Sequence, residues 1–157
     1  MPELIAADPM SAQSQRVIRA YMDDVVSRYW RRPASATEVD GAMREFPSDA
    51  LAPPAGLFVL AIADGEPVGC GGVQLKCDGI AELMRVWVAP AMRRRGVASD
   101  IVMHLEQEAR KHGRTRMRLD TRHDLTEARA LYARLGYREV ARFNDAPYAD
   151  HWFEKRL

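Results

Sequence analysis

The stretch Glu82–Gly113, ELMRVWVAPAMRRRGVASDIVMHLEQEARKHG, constrains this chain more than any other. It opens as a strand carrying Leu83, Val86, Trp87 and Val88, and Pro90 ends the pairing because proline has no N–H for a ladder. A basic turn follows, Arg93-Arg94-Arg95-Gly96-Val97-Ala98. Val97, Ile101, Val102, Leu105 and Ala109 then recur at helical spacing, and His112-Gly113 closes that helix. A strand that runs through a small-residue turn into a helix makes an anion cradle. The first helical amides have no internal acceptor, the helix dipole adds positive charge there, and Gly96 and Ala98 let a phosphate approach the backbone. Arg93, Arg94, Arg95, Gly96, Val97, Ala98 and Ser99 therefore point to a phosphate-bearing ligand. The competing reading is an ordinary strand-to-helix turn with solvated arginines.

The rest of the chain sorts into elements around that stretch. Leu4–Ala6 reads as a short strand, and Asp8-Pro9 as the cap and first position of a helix continuing to about Trp30. Ser35 and Glu38 have capping-box spacing and start a second helix through Met43 and Phe46. Leu57–Ala63 and Glu66–Leu75 form a hairpin about Asp64-Gly65, with Gly69, Gly71 and Gly72 marking a bulge or a close backbone approach. Ile80–Val88 follows as the next antiparallel strand. Thr115–Thr121 alternates as a half-buried strand, and the intervening helix makes it a parallel neighbour of Ile80–Val88. Asp124 and Glu127 again have cap spacing, opening a short helix with Ala128, Leu131, Tyr132 and Leu135 on one face. Tyr137–Val140 and His151–Arg156 complete a last hairpin. This order predicts an α/β fold around a mixed, mostly antiparallel sheet, as one domain spanning residues 1–157.

Composition excludes several classes. A net charge of +1 argues against a dedicated nucleic-acid binder, although Arg93–Arg95 with Arg110, Lys111, Arg114, Arg116 and Arg118 keeps that reading open for test. Cys70 and Cys77 lack metal-ligand spacing and read as buried thiols in a reducing compartment, so no metal is expected. No run approaches membrane-spanning length and the N-terminus lacks signal-peptide character, which predicts a cytoplasmic protein without a membrane partner.

The pattern Arg93-x-x-Gly96-x-Ala98, preceded by Val88-x-Pro90, resembles the acyl-CoA pyrophosphate loop of the GNAT N-acetyltransferase superfamily. A second block, Ala128-Arg129-Ala130-Leu131-Tyr132-Ala133-Arg134-Leu135-Gly136-Tyr137, is similar to the family's A-x-x-L-Y-x-x-x-G-F/Y helix. The resemblance covers essentially the whole chain. It implies helices on both faces of the sheet, a splayed parallel strand pair holding acyl-CoA, and acetyl-CoA as the acyl donor. It further implies pantetheine held by the main chain of Val86, Trp87 and Val88, and pyrophosphate held by residues 93–99. Tyr132 matches the tyrosine that protonates the departing thiolate, although its apolar helix face also suits a core tyrosine. Leu125 stands where the family often has a cofactor-contacting asparagine, so that contact is lost or replaced.

Glu82 matches the family's frequent general base and, by simple strand alternation, shares a face with Met84, Val86 and Val88. It is equally readable as a strand-start glutamate in solvent. Asp120 and Asp124 are rivals, and His151 beside Tyr148 and Trp152 could stand at the acceptor mouth. Tyr29, Trp30 and Phe46 lie where the family binds part of its acceptor. The resemblance implies transfer of acetyl to a small-molecule or peptide amine by direct attack, with a non-catalytic acyl-CoA sensor as the alternative. Polyamine, aminoglycoside, amino acid and protein amine all fit as acceptor, and homodimers are common in the family.

Overall fold

A computed structural model describes residues Met1–Leu157. Four helices cover the two faces of a seven-stranded sheet, in the order β1-β2-β3-β4-β5-β7-β6. The strands are β1 (Glu3–Ala6), β2 (Gly56–Ala63), β3 (Glu66–Leu75), β4 (Ile80–Val88), β5 (Arg116–Thr121), β6 (Arg138–Val140) and β7 (His151–Arg156). The helices are α1 (Ala12–Trp30), α2 (Ala36–Glu45), α3 (Val97–Lys111) and α4 (Thr126–Arg134). Only β4 and β5 are parallel, joined through α3 as the crossover requires. The closing hairpin attaches through β7, which pairs antiparallel with β5 from Arg116↔Arg156 to Thr121↔His151.

Strand alternation divides the core into two layers. Phe58, Leu60 and Cys70 pack against Val17, Ile18 and Met22 of α1 and Val39 of α2. Val59, Ala61, Val73, Leu83, Met117 and Leu119 face the other way, against Val97, Ile101, Val102 and Leu105 of α3 and Leu131 of α4. The β3 glycines set how closely the layers approach. A Cβ on Gly71 would stand 2.6 Å from Ile101 Cγ2, and one on Gly72 would stand 2.8 Å from Leu51 Cδ1.

Local signals were mostly sound at element ends, with two corrections. The capping box at Ser35 and Glu38 is formed in full. Asp64 (φ 50°) and Gly65 (φ 77°) make the left-handed pair that a tight hairpin needs. However, α1 is capped by Ser11, whose hydroxyl accepts from the Ser14 N–H, and not by Asp8. The Asp8 carboxylate instead accepts from the Met10 N–H at 2.8 Å, closing a turn of its own before the helix begins. Nor does Asp124 cap α4. Arg122 holds its carboxylate through two 2.8 Å contacts, and Leu125 occupies the cap position without a side-chain bond. Of the two cysteines, Cys70 is buried but Cys77 is exposed in the turn before β4.

One buried charge ties the α3 layer to the last hairpin. Glu106 of α3 is 3% exposed and accepts from Tyr137 Oη at 2.7 Å and from Lys155 Nζ at 3.0 Å. Burial, with the Glu106 carboxylate alongside, pushes the Tyr137 phenol far above its ordinary value, so it stays a donor. Removing one partner strands the others away from water. Glu106→Leu should cost about 3 kcal/mol, the low end for breaking a buried pair because Lys155 keeps some solvent. Thermal unfolding should then show a midpoint lower by roughly 6–12 °C. Adding Lys155→Met should restore much of the loss, and a double variant no more stable than the single one would contradict this account.

Candidate active site

The two parallel strands separate almost as soon as they meet. β4 pairs with β5 at Ile80↔Arg116, Ala81↔Met117 and Glu82↔Arg118, and no further. From Leu83 to Val88 the strand keeps β3 on one side and has no strand partner on the other. The Ala89 N–H bonds Val68 O at 2.8 Å, and Trp87 is paired with Cys70 in the same register. Alternation therefore turns the main-chain groups of Trp87 toward β3 and those of Val88, and two residues earlier of Val86, into the gap. Arg93 Nε occupies the Val88 carbonyl at 2.8 Å.

A bulge interrupts β4 just before those residues. Arg85 has φ 60°, and the β3–β4 register shifts between Cys70 and Gly72. One inserted residue reverses every later side chain. Glu82 and Met84 thus lie on the α1/α2 face, but Val86 and Val88 pack on the α3 side. The uniform alternation expected from the sequence is wrong beyond Met84 for this reason. Trp87 joins Met84 on the α1/α2 face, where its indole N–H reaches Asp24 at 3.3 Å.

The turn after β4 presents a continuous run of free amides. Arg94 (φ 63°) and Gly96 (φ 82°) bend the chain, and the first bond of α3 is Asp100 N–H to Gly96 O at 3.0 Å. The N–H groups from Arg94 to Ser99 have no protein acceptor. A Cβ on Gly96 would meet nothing within 4 Å, so glycine is required there by its dihedral angle, beside open space. Arg94 and Arg95 are exposed, whereas Arg93 folds back to Asp24 of α1 at 3.0 Å. The geometry is that of an anion cradle with one arginine used as a strut.

Tyr132 and Glu82 approach the gap from opposite layers. The Tyr132 ring is 7% exposed, edge-on to Tyr137 at 5.8 Å and near Phe153 at 6.4 Å. No protein group bonds its hydroxyl, and no buried side-chain N or O in the molecule is unpaired, so the oxygen reaches accessible space. Burial pushes this phenol well above its usual value, with smaller contributions from Tyr21 and Asp120, so it remains protonated and able to donate. Glu82 is half-buried, and desolvation raises its carboxyl above the ordinary carboxylate range. Lys76 at 4.0 Å opposes that rise and the Asp120 carboxylate adds to it. A raised carboxylate is a stronger proton acceptor at neutral pH.

The Asp120 carboxylate contributes in a minor way, behind burial, to the raised values of Glu82, Tyr21 and Tyr132, and Asn144 of the β6–β7 connection donates to it at 2.9 Å. That connection also brings Tyr148 against Tyr29 (5.5 Å) and Phe46 (6.0 Å). Trp30 stacks edge-on with Tyr29 at 5.0 Å and points outward. His151 is held by Glu139 at 2.7 Å, stacked on His123 at 5.3 Å, and 6.4 Å from the Phe153 ring that neighbours Tyr132. Tyr21, Arg85 and Asn144 had no signal in the sequence beyond ordinary periodicity or loop composition. No group of three or more His, Cys, Asp or Glu residues is placed to hold a metal ion, and no helix is long and apolar enough to cross a membrane.

Comparison with known proteins agrees with this geometry. An uncharacterised N-acetyltransferase of Escherichia coli (strain K12), YjgM, is 35% identical over 80 residues, covering 49% of this chain and 48% of that protein. The chain thus matches about half the length of that relative. A crystal structure from Klebsiella pneumoniae, provisionally an acyl-CoA N-acyltransferase, superposes with a TM-score of 0.78 at 26% identity, covering 100% of this chain and 98% of that one. The PaiA N-acetyltransferase of Thermoplasma acidophilum, solved with coenzyme A, shares the fold with a TM-score of 0.75 at 16% identity and 99% coverage of both chains. Residues 21–137 match the model of the acetyltransferase (GNAT) family. That span runs from α1 through the splayed strands and the amide-rich turn to Tyr132 and Tyr137, and on it the chain belongs to the GNAT acetyltransferase family.

Proposed function

We propose that this protein is an N-acetyltransferase, a single domain over residues 1–157 that moves an acetyl group from acetyl-CoA to a primary amine by direct attack. The observation that carries this reading is the run of acceptor-free N–H groups from Arg94 to Ser99 at the mouth of the β4–β5 gap. Those donors and the α3 N-terminus suit a pyrophosphate, with Arg94 and Arg95 adding longer-range attraction. The main-chain groups of Val86 and the N–H of Val88, whose carbonyl Arg93 already holds, suit the amides of a pantetheine arm, as an added strand would. Arg93 holds the turn against Val88 and Asp24. The solved PaiA relative, which holds coenzyme A on the same fold, supports the donor class.

The chemistry then follows from two protons. An acceptor ammonium must lose one before its nitrogen can attack the thioester carbon, and Glu82 takes it, directly or through water. As the new C–N bond forms and the C–S bond breaks, the sulfur leaves as a thiolate and Tyr132 donates a proton to it. The acceptor enters from the α1/α2 side, beneath Tyr29, Phe46 and Tyr148.

Gly96→Glu should weaken acetyl-CoA binding by roughly tenfold or more, since strain at φ 82° and a misplaced carboxylate each contribute on the order of 1 kcal/mol. Calorimetry showing unchanged affinity would remove the turn from the donor site. Tyr132→Phe should lower kcat by about a hundred- to ten-thousandfold, about 3–5 kcal/mol of barrier, with acetyl-CoA affinity retained. Its melting temperature should barely move because the hydroxyl has no protein partner. Wild-type turnover from this variant would make Tyr132 a packing residue only. Glu82→Gln should lower turnover most below neutrality and least at alkaline pH, where the acceptor arrives deprotonated. The wild-type acidic limb should lie above the usual carboxylate range, following its raised proton affinity, and disappear in the variant. Superimposable pH–rate profiles would assign the proton to solvent.

A further inference from the structure

Arg85 is the most unusual residue on the acceptor side. It is a non-glycine residue with φ 60° in the middle of a strand, a conformation that costs roughly 1–3 kcal/mol and needs the surroundings to enforce it. Its side chain leaves the bulge on the α1/α2 face and is half-buried there. Nε donates to Ser48 Oγ at 3.3 Å and Nη2 to Phe46 O at 3.1 Å, while the guanidinium carbon lies 6.0 Å from the centre of the Tyr21 ring. These contacts orient the guanidinium without neutralising it. Its neighbours on the same face differ in this respect, for Arg118 is paired with Glu154 and Arg122 with Asp124. Arg85 has no carboxylate partner, and Nη1 has no bond at all.

A half-buried guanidinium pinned by two neutral acceptors, with one edge free, is a receptor for an anion. From this we infer that the acceptor is an amino acid, with its carboxylate bound by Arg85 and its amine directed to Glu82 three residues earlier on the same strand. The two ends of the site carry opposite charge. Glu82 and Asp120 attract the ammonium, and Arg85 attracts the carboxylate. Three rings on the same face form a chain that starts at the edge of the α1/α2 core, where Phe46 packs. Phe46, whose carbonyl holds Arg85, meets Tyr148, and Tyr148 meets Tyr29. Tyr29 and Tyr148 are 47% and 44% exposed, so the rings form an apolar wall open to a ligand. An amino acid with an apolar side chain satisfies all three features, whereas a polyamine leaves Arg85 facing another cation.

This assignment rests on the acetyl-transfer reading, and the test separates the two. Calorimetry on the protein saturated with coenzyme A would compare N-acetyl-L-phenylalanine with N-acetyl-L-phenylalaninamide, which differ only in the carboxylate. The wild-type protein should hold the acid more tightly by roughly ten- to a hundredfold, the usual size of a charge-assisted hydrogen-bonded pair. In Arg85→Gln that ratio should fall close to one, and in Arg85→Lys it should be intermediate, because the charge remains but the fork is lost. A purely structural role, in which Arg85 only secures residues 46–48, would weaken both ligands equally and leave the ratio unchanged. The ratio of kcat/KM for L-phenylalanine over L-phenylalaninamide should change by the same factor between wild type and Arg85→Gln. If coenzyme A binds but the acid is held no better than the amide, or neither is held, the carboxylate site is wrong and the acetyl-transfer reading stands. If coenzyme A itself does not bind, both fall.

Discussion

The proposed function depends on the parting of β4 from β5 after Glu82. Parallel strands ordinarily satisfy one another's main-chain groups along their length, and an unpaired buried amide is unfavourable. Here the pairing stops after three residue pairs, and β4 runs on with one edge open. The ladder on both sides of the Arg85 bulge holds β4 to β3, with α3 seated closely on Gly71, while β7 pairs with β5 on its other edge. Along that open edge of β4 the main-chain groups other than the Val88 carbonyl, which Arg93 holds, are left to a ligand.

The same geometry gives the two layers separate tasks. On the α3 side lie the amide-rich turn and the buried Tyr132 ring, reinforced by the Glu106–Tyr137–Lys155 cluster beneath them. On the α1/α2 side lie Glu82, Asp120, Arg85 and the aromatic rings. The gap is where the layers meet, so a donor lying in one and an acceptor entering from the other would react there without crossing the core. Arg93 and Trp87, both bonded to Asp24, bind α1 to the turn and join the two halves.

Much of this was readable residue by residue. The Pro90 stop, the small turn residues and the helical spacing from Val97 to Ala109 are local signals, and each element they predict is present. The capping box at Ser35 and the Asp64-Gly65 turn are equally local, since their energetics involve neighbours a few residues away. The misreadings at Asp8 and Asp124 share one cause. A carboxylate at cap spacing can be claimed by another partner, Met10 N–H in one case and Arg122 in the other.

By itself the sequence determined the order of elements, the parallel relation of β4 and β5, the amide cradle, and the position of Tyr132 on an apolar helix face. All of these follow from short-range periodicity and from the handedness of crossover connections. Only the tertiary structure decided which way side chains point beyond Met84, because a single inserted residue inverts a strand and the sequence around Arg85 does not announce it. It also decided that Arg93 is spent on Asp24, that Asp120 contributes in a minor way to the raised values of both Glu82 and Tyr132, and that Arg85 keeps an unpaired charge beneath Phe46 and Tyr148. Those outcomes depend on which distant segments meet, and residues 141–150 are held near the α1/α2 face by contacts to Asp120, Tyr29 and Phe46. Charge pairing acts through space, so no local pattern along the chain encodes it.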